Sequence, residues 1–195
     1  MHKKIKEFIL KGILKPGNKV MQEKMAMELG ISKIPLIQAL AVLEKEGILK
    51  KIPQRGFFLR EVSKDEILKI FDVRHIFEEI GIKKLIENLS EENIQKLNNY
   101  LNNFKKYFEN NNKNNYILED VSFHHFLIES SNNEMIVKFV DGFNVFILTF
   151  IKGILNLEES YNDHIKIIHA ILENDCEKSV IALAEHLNRV KNKVF

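Results

Sequence analysis

Met25-Ala26-Met27-Glu28-Leu29-Gly30-Ile31-Ser32-Lys33-Ile34-Pro35-Leu36-Ile37-Gln38-Ala39-Leu40 is the stretch on which the fold turns. Met25, Ala26 and Leu29 repeat at helical spacing, and Gly30 follows where a helix ends in a left-handed residue. Ser32 is placed to cap a second helix. Pro35 falls in that helix's first turn, where backbone N–H groups have no intrahelical partner. Leu36, Ala39, Leu40 and Leu43 carry the second helix on to Gly47. Two helices joined by a turn of about three residues form a helix-turn-helix, whose second helix lies in the DNA major groove.

The flanks extend this reading. Residues 3–12, with Ile5, Phe8 and Ile9 on one face, predict a preceding short helix that stops before Pro16-Gly17. Ile48–Ile52 and Phe57–Val62 read as strands around Pro53-Gln54-Arg55-Gly56, a turn that needs φ > 0 at Gly56. The hairpin is a wing, and Arg55 at its tip is placed to reach a phosphate or a minor groove.

Charge separates this region from the rest. Residues 1–61 hold 13 Lys/Arg against 6 Asp/Glu, whereas residues 62–195 hold 16 against 21. A basic N-terminal third suits a polyanion such as DNA. Hydrophobic residues at 45% with 29% charged residues indicate a globular chain and exclude a disordered one. The longest apolar stretch, Val145–Ile151, is far shorter than a membrane span, so no membrane partner is expected. The N-terminus has no continuous apolar run of the signal-peptide type, and the single cysteine, Cys176, excludes an internal disulfide. A cytoplasmic setting is expected.

The N-terminal third resembles the GntR family of regulators. The resemblance is carried by Gly12-Ile13-Leu14-Lys15-Pro16-Gly17, by Met25 through Lys33, by Pro35 through Leu40, by Leu43-Glu44-Lys45-Glu46-Gly47 and by Pro53-Gln54-Arg55-Gly56. It implies a winged helix-turn-helix domain over residues 1–62 that binds double-stranded DNA. Ser32, Lys33, Ile34, Gln38, Arg55 and Gly56 are the expected DNA-contacting residues. The chain departs from the family where an Arg-Glu pair is usual and Ile37-Gln38 stands instead. Lys33 keeps a charge without the bidentate fork that suits guanine. Ile34 can contact a thymine methyl, and Ser32 or Gln38 can hydrogen-bond to phosphate or base. The expected operator is therefore richer in A·T than the family's usual one, or less sharply specified.

From Ser63 onward helical periodicity dominates. Helices are expected at 63–88, 90–108, 116–131, 134–156, 158–173 and 176–193, with Asn110–Asn115 as a polar loop. About six helices with short connections make an antiparallel bundle over residues 63–195, so the fold class is mainly α. Asp120 and His124 stand four residues apart on one helical face. His164 and His186 lie about 10.5 and 11.5 residues from the centre of the Asn174-Asp175 turn, and so level in a helical hairpin, roughly 15 to 17 Å from it at about 1.5 Å per residue. One Asp and three His can thus converge from three helices on one point. Imidazole nitrogens with a carboxylate suit a divalent transition metal: zinc first, with nickel, manganese and iron admissible. His125 is turned about 100° from His124 and His169 lies off the face of His164, so neither joins the set.

This half resembles the FCD ligand-binding domain that follows the winged helix in one GntR subfamily. Asp120-Val121-Ser122-Phe123-His124, His164, Ala170-Ile171, Asp175 and His186-Leu187 carry the resemblance, with Asn174 where Gly is usual. The helix count is similar to the VanR-type branch rather than the longer FadR-type branch. The resemblance implies a metal held by Asp120, His124, His164 and His186, and a small carboxylate effector for which Arg74 is a candidate anchor. A homodimer on a near-palindromic operator is expected. The rival readings are a regulator whose effector is the metal ion itself, and a metal-dependent enzyme. No general base or nucleophile motif supports the second, and the chain is read as no enzyme.

Overall fold

The computed structural model describes residues 4–5, 14–140 and 144–193. They fall into two compact units, Met1–Ser63 with Asp141–Thr149, and Lys64–Val140 with Phe150–Phe195. The fold is mainly α with one small sheet, as the periodicity predicts. The helix expected over residues 3–12 lies almost wholly outside the described residues, apart from helical Lys4 and Ile5.

In the first unit, α1 spans Gln22–Leu29 and α2 spans Lys33–Lys45. The chain bends by 109° between them, within the range of a helix-turn-helix. Gly30 makes that bend with φ 66°, while Ile31 N–H donates to Ala26 C=O across the helix end. Ser32 is extended at the head of α2, as a capping residue should be, but its side chain makes no capping hydrogen bond. Ala26, Leu36, Ala39, Leu40 and Leu43 fill the angle between the helices and pack on Ile5, Val20 and Ile48. Strands β1 (Leu49–Ile52) and β2 (Gly56–Leu59) pair antiparallel from Leu49↔Leu59 to Ile52↔Gly56. Their turn is closed by Arg55 N–H to Ile52 C=O and uses φ 59° at Gln54 and 94° at Gly56. Residues 17–20 add a third extended segment: Val20 N–H donates to Phe57 C=O and Leu59 N–H to Asn18 C=O. Phe146 is buried and lies 4.9 Å from the Arg60 guanidinium, which places its segment in this unit.

The second unit contains α3 (Lys64–Glu87), α4 (Glu91–Glu109), α5 (Lys113–Glu129), α6 (Glu134–Val140), α8 (Leu157–Leu172) and α9 (Cys176–Asn192). Between α6 and α8 runs α7 (Asn144–Ile154). The single helix expected over 134–156 is therefore described as two, α6 and α7, with residues 141–143 outside the described set. Helices α8 and α9 form the hairpin; α9 packs on α3, α3 on α5, α5 on α4, and α4 on α8. These contacts surround one core, so side chains on α3, α5, α8 and α9 share an interior.

Short polar side chains set the helix starts. Ser90, Asn112, Asn156 and Asp175 each accept the backbone N–H three residues on. The asparagine run is thus not a featureless loop. Asn111 takes a left-handed φ of 48° and Asn112 caps α5, which begins three residues earlier than expected. Asparagine tolerates that conformation, and Asn174 does the same at φ 60° in the α8–α9 turn.

Helices α3 and α5 approach closely at Gly81, where a Cβ would sit 1.8 Å from Leu127 O. Because that obstacle is backbone, Gly81→Ala must push two helices apart. A loss of about 1–3 kcal/mol is expected, read as a lower urea midpoint with an unchanged m value.

Candidate metal centre

Four side chains separated along the chain meet inside the second unit. Asp120 and His124 come from α5, His164 from α8 and His186 from α9, all buried. One ligand atom from each lies within 4.8 Å of all the others. His124 Nε2 is 3.2 Å from His164 Nε2, which is 3.4 Å from Asp120 Oδ2. Donors about 2.0–2.1 Å from a common ion stand roughly 3 to 3.4 Å apart. The spacing of His124, His164 and Asp120 fits a shared cation, and His186 stands within 4.8 Å of all three.

The far side of each ring is already occupied. His124 Nδ1 is 2.6 Å from Glu78 Oε2, and Glu78 Oε1 accepts from Arg74 Nε at 2.7 Å. His164 Nδ1 is 2.8 Å from Tyr116 Oη, whose hydroxyl reaches Ser160 Oγ at 3.3 Å. A consistent chain has His164 Nδ1–H donating to Tyr116 and Tyr116 donating to Ser160. His186 Nδ1 lies 3.4 Å from Asp163 Oδ2, and Asp163 is gripped by Arg189 through Nε at 2.9 Å and Nη2 at 3.2 Å. With Nδ1 carrying the proton in every ring, each Nε2 keeps a lone pair for a ligand; such outer hydrogen bonds are how proteins orient metal-binding imidazoles.

Electrostatics agree with the geometry. Burial holds His124 and His164 well below the usual histidine range, and the positive charge of Arg74 and neighbouring rings adds to it. Phe104 stacks on His164 at 4.5 Å, which helps keep water away. Burial pushes Asp120 up to about 6, against the pull of His186 and Arg74. Its Oδ1 is buried without a hydrogen-bond partner among the described residues. Burial also raises Glu78, although Arg74 opposes it. Asp163 is raised by burial, but its bonds to His186 and Arg189 outweigh that and hold it low. The donor set thus offers three imidazoles, two of them held neutral by burial, and one carboxylate whose Oδ1 has no hydrogen-bond partner among the described residues, which is the chemistry a divalent cation satisfies.

Arg74 is buried and its salt bridge to Glu78 is an internal one. It also lines a small cavity with Asp120, Ser160, His186, Arg189 and Lys193. The cavity has a free volume of about 30 Å³, room for a water or two. His125 is half-buried beside Glu129 and His169 is exposed, both away from the cluster. Glu78, Tyr116 and Asp163 were not anticipated. Asp163 adjoins His164, and Glu78 stands at ion-pair spacing from Arg74, so both left a local trace.

The DNA-contact candidates all belong to the first unit. Ser32, Lys33, Ile34 and Gln38 are exposed on the first turns of α2, with Ile34 at 71%. Lys33 lies 3.5 Å from Glu23. Arg55 is exposed at the wing tip over the Phe58 ring. A groove of about 470 Å³ joins Lys33 to Arg55 and Gly56 and adds Lys19 and Lys24, two cations that sequence reasoning did not single out.

Residues 69–189 match the FCD domain, and residues 2–59 match the bacterial regulatory proteins of the gntR family. The chain belongs to the GntR family of bacterial regulators, in its FCD-bearing form. It is 25% identical over 144 residues to the uncharacterized HTH-type transcriptional regulator YdhC of Bacillus subtilis (strain 168), covering 73% of this chain and 64% of that protein. The match thus spans somewhat less than two thirds of YdhC. It is also 25% identical over 195 residues to the gluconate operon transcriptional repressor of Bacillus licheniformis, covering 95% and 80%. Among solved structures, E. coli McbR/YncC superposes with a TM-score of 0.86 at 22% identity, covering 96% of this chain and 92% of that one. A GntR-family regulator from Pseudomonas syringae pv. tomato str. DC3000 gives 0.54 at 20%, covering 99% and 82%. At these identities the structural likeness establishes the fold.

The raised Asp120 makes a signed prediction for protein stripped of metal. A carboxyl held above its ordinary 3.8 contributes stability that is full below that pH and lost as pH rises through about 6. Asp120→Asn lacks this loss. The stability difference between stripped variant and stripped wild type should therefore shift in favour of the variant by about 1.4 kcal/mol per pH unit between about 4 and 6, then level off. Denaturation curves across that pH range check it.

Proposed function

We propose that the chain is a DNA-binding transcription regulator whose operator affinity is set by a small organic acid bound beside a divalent transition metal. Asp120, His124, His164 and His186 would hold the ion, with zinc first and nickel, manganese or iron admissible. The observation that carries the reading is Asp120 Oδ1, without a partner among the described residues, beside three buried imidazoles whose Nδ1 atoms are all engaged. When bound, the ion would supply a positive charge beside which a carboxylate is held.

The chain's own residues then supply recognition and response. A carboxylate entering the cavity meets Arg74 and competes with Glu78 for its guanidinium. Glu78 also orients His124, so ligand charge is felt along α3, which begins five residues after the wing strand ends. Regulation requires that the ligand favour one arrangement of the helical domain over another. The winged helix over residues 1–62 serves as the DNA-binding domain and residues 63–195 as the effector domain. Ser32, Lys33, Ile34 and Gln38 face the major groove, while Arg55 and Gly56 contact the backbone or minor groove. Two copies place two recognition helices on a near-palindromic operator, in the cytoplasm. The assignment is to binding and not to an enzyme, in keeping with relatives that are transcriptional regulators.

The small cavity favours one alternative in which the ion itself is the effector, because about 30 Å³ admits water more readily than an organic acid. Operator affinity measured with chelator, then with added metal, then with metal plus a panel of small carboxylates separates the two. The acid reading expects the last addition to change affinity; the ion reading expects the second alone to do so. His164→Ala and His186→Ala should each lose bound metal and any response to it, and full metal occupancy in both variants would refute the site. For the wing, Arg55→Ala should weaken DNA binding across sequences and reduce the slope of log K against log salt by about 1.

A further inference from the structure

Helix α2 presents two faces of opposite character. At about 100° per residue, Leu36, Ala39, Leu40 and Leu43 gather on one side, and all four are buried in the core of the first unit. The opposite side carries Ile34, Gln38 and Ala41 along its centre, with Ile37 beside them. Ile34 is 71% exposed and Ile37 39%, so two large apolar side chains stand in solvent within one turn of each other. The helix contains no arginine, and no acidic residue in it comes before Glu44. Positive charge lies beside the isoleucines instead, in Lys19, Lys24, Lys33 and Arg55, which line the groove at the head of the helix.

We propose that Ile34 and Ile37 determine sequence specificity by seating on the C5-methyl groups of thymines in the major groove, with Gln38 hydrogen-bonded to an adjacent adenine. The proposal rests on the DNA-binding reading above and deepens it: it names the base feature that is read and makes Ile37 a reader in its own right. Thymine is the one base of unmodified DNA that offers a hydrocarbon group to that groove. Guanine and cytosine present only polar atoms there, and an isoleucine pressed on them strips water from donors and acceptors without replacing it. The same two side chains therefore attract T·A pairs and penalise C·G or G·C pairs.

The spacing along the helix suits stacked bases. Ile34 and Gln38 stand one turn, about 6 Å, apart, close to the height of two base pairs at about 3.4 Å each. Ile37 lies between them in height and to one side, so the three side chains address two or three successive pairs. Ala41 is small and half-buried, which lets the helix sit deep in the groove at that point. Phosphates are left to the flanking cations, which position the head without reading sequence.

Selection of duplexes from a random pool by the full chain, run in parallel with zinc and with chelator, supplies the operator for the test. Thymines in it are then replaced one position at a time, in both half-sites, by deoxyuridine, which removes only the methyl group, and affinity is read by fluorescence anisotropy. At two or more positions the loss should be about fourfold for each contacted methyl. Ile34→Ala should abolish the effect at one of these positions and Ile37→Ala at another. Both side chains are exposed, and circular dichroism checks the fold of each variant. Exchange of such a T·A pair for C·G should cost more than deoxyuridine does, and 5-methylcytosine in that pair should recover about fourfold. Enriched duplexes that bind but tolerate deoxyuridine throughout, or that keep the same sensitivity in both alanine variants, overturn the methyl readout and leave DNA binding intact. A pool from which no duplex is enriched under either condition overturns the DNA-binding reading and this proposal with it.

Discussion

A buried carboxylate with one oxygen that finds no partner among the described residues is the feature on which the second unit depends. Water would solvate Asp120; the interior offers three imidazoles and an arginine already bound to Glu78. Such a group costs several kcal/mol unless a positive charge is supplied. The fold brings three helices to this one point, and it engages Nδ1 of each ring through Glu78, Tyr116 and Asp163. Close packing of α3 on α5 at Gly81, one turn beyond Glu78, is what lets that carboxylate reach His124.

Both units use the same economy of means, with short polar or left-handed residues fixing where helices stop and start. Gly30 turns the chain between the two helices of the reading head, and Asn174 turns it between α8 and α9. The second turn has a functional consequence. It sets His164 and His186 level, with ring centres 4.7 Å apart, though they lie 22 residues from each other in sequence.

Local patterns made much of this legible. Helix α1 falls on Gln22–Leu29 because Gly30 ends it, and the wing follows from two apolar runs around Pro53–Gly56. The convergence of Asp120, His124, His164 and His186 could be read from helical spacing and from one hairpin. Glu78 and Tyr116 could not be placed, since their partners lie 46 and 48 residues away and nothing in either local sequence encodes the meeting. The start of α5 was missed because consecutive asparagines resemble a loop in composition while acting individually as a turn and a cap. Arg74 shows a limit of another kind: its spacing to Glu78 suggests a surface ion pair, but only the packing reveals that the pair is interior and borders a cavity.

The most direct test of the account is crystallographic. Crystals of protein supplied with zinc or nickel, measured on both sides of the metal's absorption edge, should show one anomalous peak per chain about 2.0–2.2 Å from a carboxylate oxygen of Asp120 and from Nε2 of His124, His164 and His186. Absence of that peak at full metal supply, or a peak bound by other residues, would contradict the central claim.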